Sequence, residues 1–109
     1  MHELGITQEI VAIAAEKAGS AKVKRIVVEI GRLTAVLPDA VRFCFDACTE
    51  GTSVAGAALE IIEIPARGRC RACHAEQVLD RPFGICPCGR TEFDWLSGEE
   101  LRVRSVEVH

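Results

Sequence analysis

The sequence predicts an α+β protein in which two helices cover a three-stranded sheet, with a small metal-binding segment inserted before the last strand. Apolar residues recur at helical spacing in two segments and alternate along three others. Four cysteines fall in two close pairs between residues 70 and 88. The chain of 109 residues fits one small core plus a metal-stapled segment that is too short to fold alone.

The first part of the chain predicts a helix, a strand and a second helix. Residues 4–18 carry an apolar stripe at helical spacing, and a glycine follows where a helix ends. Residues 23–30 alternate and predict a strand, with apolar residues on one face and Arg25 and Glu29 on the other. Pro38 suits the first turn of the second helix, and Asp39 suits its positive end.

The second helix contains two cysteines that do not belong to the close pairs. Cys44 and Cys48 lie on one helical stripe with Val41 and Phe45. Two thiols four residues apart could chelate a metal, but their apolar neighbours favour small core residues. We therefore predict that neither cysteine is a metal ligand.

Two further strands complete the predicted core. Residues 57–64 are mostly apolar and predict a strand whose inward face the alternation does not settle. In the closing segment the apolar residues up to Val103 are out of phase with those from Val106 onward. Such a strand needs a bulge or a twist near Ser105.

The predicted layout is a discontinuous domain with an insertion. Residues 1–64 and 99–109 form an α/β domain, and residues 65–98 form an inserted zinc-ribbon-like domain. Phe93 and Trp95 are expected to pack over the metal segment.

The four paired cysteines have the ligand set of a closed tetrahedral zinc site. Cys70 and Cys73 have two residues between them, Cys86 and Cys88 have one, and twelve residues separate the pairs. A disulfide framework would suit a secreted chain, but no signal segment opens this one and no run of eighteen apolar residues occurs. We expect a cytosolic protein with reduced thiols, in which a redox or iron site is the rival to zinc.

The short spacing of the second pair makes its turn tighter than in most zinc sites. His74, next to Cys73, is a possible substitute ligand, although an exposed polar neighbour is the simpler interpretation.

Composition and charge argue against a nucleic-acid-binding surface. The net charge is −3, aromatic residues make up 5% of the chain, and Tyr is absent. Residues 66–98 contain five Arg against four acidic residues, and four thiolates on zinc would add net negative charge.

The first two residues offer a second kind of metal chemistry. A large residue at position 2 normally prevents removal of the initiator Met, so we expect a free amine beside the imidazole of His2. The amine of Met1, the amide nitrogen of His2 and its ring nitrogen can chelate in one plane, which suits Ni(II) or Cu(II). On chemistry alone, a solvated terminal histidine is the default interpretation.

Several segments together resemble the hydrogenase maturation nickel metallochaperone family, HypA/HybF. They are Met1-His2-Glu3, the run from Gly51 to Pro65, the four paired cysteines and the closing Gly98-Glu99-Glu100-Leu101-Arg102-Val103-Arg104-Ser105-Val106-Glu107-Val108. The resemblance covers the whole chain in order.

The resemblance implies a nickel-binding α/β domain, a zinc domain, and delivery of Ni(II) to a [NiFe]-hydrogenase precursor in the cytoplasm with the GTPase HypB as partner. It implies His2 as the essential nickel ligand, Glu3 as an adjoining contributor, and more loosely Asp39. It assigns zinc to Cys70, Cys73, Cys86 and Cys88. The usual family pattern has two residues between the last pair, where this chain has one. A monomer or weak homodimer is expected, with no membrane association.

Other functions remain open at this level. We identify no nucleophile with a base, no phosphate-binding glycine loop and no paired carboxylates, so we do not predict an enzyme. A zinc-ribbon module that binds protein or nucleic acid is the main alternative, and a rubredoxin-like iron protein is the second.

Overall fold

A computed structural model describes residues 3–79 and 84–109 of the chain. Within these residues the elements, in order, are α1 (Glu3–Ala18), β1 (Val23–Gly31), α2 (Pro38–Thr49), β2 (Ala58–Ile64), β3 (Ala66–Cys70), β4 (Glu76–Leu79), β5 (Phe93–Ser97) and β6 (Leu101–Val108). A single-turn 3-10 helix, Arg32–Thr34, lies between β1 and α2. The predicted α+β class is confirmed.

The first sheet contains the strands predicted from alternation. Its order is β2-β1-β6, with β1 parallel to β2 and antiparallel to β6. A parallel pair needs a crossover connection, and α2 lies on the chain between β1 and β2. The last strand of the chain therefore pairs with the first, as the discontinuous layout requires.

The core lies between this sheet and the two helices. The inward side chains of β1 are almost completely buried, and Leu59 and Ile61 of β2 contact the same core, which settles the face of that strand. The buried apolar residues of this core are Ile10, Val11, Ala14, Val23, Ile26, Val28, Ile30, Val41, Phe45 and Val54.

The predicted irregularity of the last strand is a β-bulge. Val27 of β1 faces Ser105, whereas the next residue, Val28, faces Val103, so Arg104 is the extra residue. The extra residue restores the alternation of inward and outward side chains, so that both Val103 and Val106 pack against the core.

Glu29, which the alternation assigns to the opposite face of β1 from its apolar residues, is buried. It is 7% exposed, forms an ion pair with Arg102, and has a carboxylate oxygen 3.8 Å from Nη1 of Arg104. Because β1 is the central strand, the long side chains of β6 cover its outer face, and the buried carboxylate is compensated by paired cations.

The two cysteines of α2 differ in their surroundings. Cys48 packs against the core, as predicted, while Cys44 is half-buried. Among the described residues, the group of side chains close enough to share a metal ion contains neither.

The second sheet was not predicted strand by strand. Its order is β4-β3-β5 with both pairings antiparallel, and it carries the cysteine segment. Phe93 is buried at the start of β5, and a Cβ atom on Gly68 of β3 would lie 3.1 Å from the Cβ of Phe93. The glycine therefore lets the aromatic ring lie close to the central strand. Phe93 and Trp95 are in contact, with ring centroids 6.0 Å apart.

The two sheets meet at a close approach of two glycines. A Cβ atom on Gly31 would overlap the carbonyl of Gly98, and Gly98 itself has φ +112°. The Gly98 carbonyl accepts a hydrogen bond of 2.7 Å from the N–H of Leu33. The division into domains of residues 1–64 with 99–109 and residues 65–98 stays a prediction.

Candidate metal centres

The first cysteine pair lies on a turn that follows β3. The carbonyl of Cys70 accepts the N–H of His74 at 2.9 Å, and the N–H of Cys70 donates to the carbonyl of Ala75 at 2.9 Å. His74 has φ +64°, a left-handed conformation that more often falls to glycine. The turn brings Cys73 back beside Cys70.

The second pair uses the same arrangement with one residue fewer. The carbonyl of Cys86 accepts the N–H of Gly89 at 2.8 Å, and the N–H of Cys86 donates to the carbonyl of Arg90 at 2.8 Å. Each bond spans one residue less than its counterpart in the first turn, and Gly89 supplies the positive φ of +95°. The single residue Pro87 between Cys86 and Cys88 is thus accommodated by a shorter turn of the same kind.

The two turns face each other and bring four sulfur atoms together. The Sγ atoms of Cys70, Cys73, Cys86 and Cys88 all lie within 4.8 Å of one another. The Cys70 and Cys88 sulfurs are 3.6 Å apart, and those of Cys73 and Cys86 are 3.5 Å apart. Tetrahedral zinc with 2.3 Å bonds places its sulfurs about 3.8 Å apart, whereas a disulfide requires about 2.05 Å. The cluster therefore fits a metal site.

Half of this cluster is buried. Cys70 and Cys86 are 0% and 2% exposed and pack with Phe93 and the partly buried Leu79, whereas Cys73 and Cys88 are exposed. His74 is exposed and lies outside the group of possible ligands found among the described residues.

Hydrogen bonds and burial give the thiols different pKa values. The N–H of Cys73 faces the Cys70 sulfur and, with the N–H of Ala72 and neighbouring thiols, overcomes the effect of burial and lowers the pKa of Cys70 to about 6. At Cys88 the N–H of Arg90 lowers the pKa, but the Cys86 thiol, burial and the other two thiols together raise it to about 11. A metal must displace the protons that remain, and the backbone N–H groups are placed to stabilise its thiolates.

The candidate nickel residues are far from the cysteine pairs in the sequence. Met1 and His2 fall outside the described residues. Glu3 begins α1 and is only 6% exposed, and its Oε2 accepts the N–H of Leu37 at 3.2 Å. Asp39 lies two residues beyond Leu37, and its side chain is 97% exposed and bonded to Arg42 at 2.7 Å.

The structure thus brings Glu3 to the same end of α2 as Asp39. It also identifies two participants that the sequence analysis missed. Leu37 contributes its backbone N–H, and Thr7, fully buried, donates its Oγ1 hydrogen to the Glu3 carbonyl at 2.6 Å. The role of Thr7 could have been suspected from the sequence, because it is a polar residue on the apolar side of an amphipathic helix.

Comparisons with known proteins cover the whole chain. A family model described as "Hydrogenase/urease nickel incorporation, metallochaperone, hypA" matches residues 1–108. The hydrogenase maturation factor HypA of Nostoc punctiforme is 58% identical over 108 residues, which are 99% of this chain and 96% of that protein. HypA of Geotalea uraniireducens is 50% identical over 109 residues, with 99% of each chain covered.

A solved structure has the same fold. The solution structure of the nickel metallochaperone HypA from Helicobacter pylori matches with a TM-score of 0.66 and 26% identity, covering 99% of this chain and 97% of that one.

Fold and cysteine cluster together define a small α+β protein with a candidate metal site. The whole-length matches give the family. The chain belongs to the HypA family of hydrogenase maturation nickel metallochaperones, as its resemblance predicted. No helix within residues 3–79 and 84–109 is long and apolar enough to cross a membrane.

Proposed function

We propose that this chain binds Ni(II) at its N-terminus and delivers it to a [NiFe]-hydrogenase precursor during maturation. The observation that carries the proposal is the match of residues 1–108 to a family named for nickel incorporation. The proposed partners are the GTPase HypB and the hydrogenase large-subunit precursor, and the proposed location is the cytoplasm. The protein acts as a carrier and not as an enzyme, as a monomer or weak homodimer.

The proposed nickel ligands are the amine of Met1 and the amide and ring nitrogens of His2. Glu3, through either its backbone or its side chain, and Asp39 are candidates to complete the set. Nitrogen ligands in one plane suit Ni(II). A site at a chain terminus is open to solvent, so a partner protein can approach the metal and exchange ligands. This openness suits a protein whose metal is cargo.

The proposed zinc ligands are Cys70, Cys73, Cys86 and Cys88. Their sulfur spacing fits tetrahedral zinc, which would contribute folding free energy to the second sheet. Zinc there is structural, because four thiolates leave no open coordination position.

The charges of the second sheet disfavour the nucleic-acid-binding form of the zinc-ribbon alternative. Arg67 and Arg69 both bond to Glu76, at 3.1 and 3.2 Å, and Arg71 bonds to Asp94 at 2.9 Å. Arginines engaged by neighbouring carboxylates make a poor phosphate-binding surface.

The decisive experiment is nickel titration of the wild-type protein against His2→Ala. We expect the variant to lose tight nickel binding and to keep its zinc content and fold. The chain offers matched controls in His74→Ala and His109→Ala, which remove the other two imidazoles and should leave nickel affinity unchanged. Tight nickel binding by His2→Ala would refute the proposed site.

A second arm tests the amine. Extra residues before Met1 convert the amine into an amide and should weaken nickel binding. Affinity should also fall as the pH drops below about 6.5, where imidazole takes up a proton and competes with the metal. An extended protein with full affinity would remove the amine from the site.

A further inference from the structure

Helix α2 begins at a residue that cannot cap it. The N-cap position is Leu37, with extended backbone angles and no hydrogen bond from its own side chain to the helix. Its carbonyl accepts the N–H groups of Ala40 and Val41 at 3.1 and 3.2 Å. Its N–H points away from the helix, towards the start of α1.

The group that meets this N–H is the carboxylate of Glu3. The distance from Leu37 N to Glu3 Oε2 is 3.2 Å, across 34 residues of sequence. A carboxylate near a helix N-terminus is stabilised by the helix dipole. Glu3 as a residue is only 6% exposed, and a charged group in such a buried residue requires compensating contacts.

Glu3 is also held from its other side. Its carbonyl accepts the Oγ1 hydrogen of Thr7, a side chain with no solvent exposure. The backbone of Glu3 is thereby fixed within α1, and its side chain is fixed to α2. In the sequence, His2 is joined directly to this doubly held residue, and Met1 precedes it.

We propose that the Glu3 carboxylate is a positioning group that fastens the start of α1 to the start of α2, and that it is not a nickel ligand. The inference deepens the proposed function and rests on it for its nickel consequences. By fixing Glu3 at both its backbone and its side chain, these contacts pre-organise the residue that directly follows the proposed nickel ligands. Nickel then draws at most on the backbone of Glu3.

Two substitutions distinguish a positioning role of Glu3 from a role as nickel ligand. One removes the charge of the side chain and keeps its length, and the other keeps the charge and shortens the side chain. Glu3→Gln keeps the side-chain length and an oxygen acceptor but loses the charge. Glu3→Asp keeps the carboxylate but is one methylene too short to reach Leu37. If Glu3 has a positioning role, nickel affinity should fall by less than about threefold in Glu3→Gln. It should fall by about tenfold in Glu3→Asp, because that variant loses the pre-organisation. A carboxylate ligand predicts the reverse order, and that result would overturn the proposal.

A measurement without nickel tests the contact itself. The sample is protein that carries zinc but no nickel. In it, hydrogen exchange of the Leu37 amide should be slow in wild type and Glu3→Gln, and at least about tenfold faster in Glu3→Asp and Glu3→Ala. Glu16→Gln, an exposed carboxylate on the same helix, is the control and should change neither readout. Equal Leu37 exchange in wild type and Glu3→Ala would overturn the positioning role.

The two proposals can fail separately. If wild type binds no nickel at its terminus but Leu37 exchange responds as described, the proposed function is wrong and the contact between the helices stands. If nickel binds and Leu37 exchange does not respond, only the positioning role is wrong. Zinc content and circular dichroism of each variant show whether it has folded.

Discussion

At the scale of single residues, Gly98 sets how closely the two sheets can meet. It adopts a positive φ that side chains rarely tolerate, and a Cβ atom there would lie 2.8 Å from the Cα of Ala66. Both the conformation and the space therefore require glycine. The requirement comes from neighbouring backbone, which cannot move aside as a flexible side chain could.

We predict that Gly98→Ala destabilises the protein by about 3 kcal/mol, from backbone strain plus overlap. Urea unfolding monitored by circular dichroism measures the change. The control is Gly5→Ala within α1, where an added Cβ has open space and alanine should stabilise the helix by about 0.5 to 1 kcal/mol. Equal stability of Gly98→Ala and wild type would show that the junction can relax.

The cysteines of α2 give a second prediction at this scale. Cys48→Ala should keep full zinc content and cost about 1 kcal/mol, because it removes one sulfur atom from the core. Cys44→Ala should also keep full zinc content. Metal analysis of the purified variants, with Cys73→Ser as the comparison that should lose zinc, checks both. A loss of zinc in either alanine variant would bring α2 into the metal site.

At the scale of elements, the long periodic segments were predictable and the short strands were not. Helix α1 and strand β1 carry patterns that span their whole length, and the phase change in β6 required a bulge. Strands β3 to β5 are four or five residues long. The buried positions of β3, the central strand, are alanine, glycine and cysteine instead of large apolar residues. Their core is built around sulfur, which hydrophobic periodicity does not detect.

The candidate sites divide in the same way. The four paired cysteines were predictable because each pair is local in sequence. The contact between Glu3 and Leu37 was not predictable, because it joins residues 34 apart through a backbone N–H that every residue type except proline offers. The burial of Glu29 likewise depends on which strand lies beside β1.

Zinc removal should act on one sheet before the other. We expect a strong chelator to loosen residues 66–98 while the core of α1, α2 and the first sheet stays folded, because structural zinc can contribute on the order of 10 kcal/mol in small modules. NMR spectra of the backbone amides, recorded before and after chelation, measure which sheet loses its structure. Unchanged amide signals in residues 66–98 would mean that the second sheet does not depend on metal, and simultaneous loss of both sheets would remove the predicted domain division.

At the scale of the whole molecule, the proposed sites for the cargo metal and the structural metal lie in different parts of the chain. The proposed nickel ligands lie in the first residues and near the start of α2, and the cysteine cluster lies in the second sheet. The two metals can therefore be separated experimentally.

We predict that a variant with all four paired cysteines changed to serine still binds nickel at its terminus with an affinity close to that of wild type. The serines remove the thiolates, which could otherwise capture added nickel. Calorimetric titration of this variant, and of the same variant carrying His2→Ala, measures the terminal site alone. If the serine variant binds no nickel while its α1 and α2 amides remain native, the two sites depend on each other.

The pairing of β1 with β6 also bears on the order of synthesis at the ribosome. The central strand emerges early, but its antiparallel neighbour begins at Leu101, some 70 residues after β1 ends. Until that segment is translated, one edge of β1 has unsatisfied N–H and carbonyl groups and a nascent core open on one side. The four proposed zinc ligands emerge in this interval. If they bind zinc as proposed, the second sheet can fold before β6 completes the first sheet.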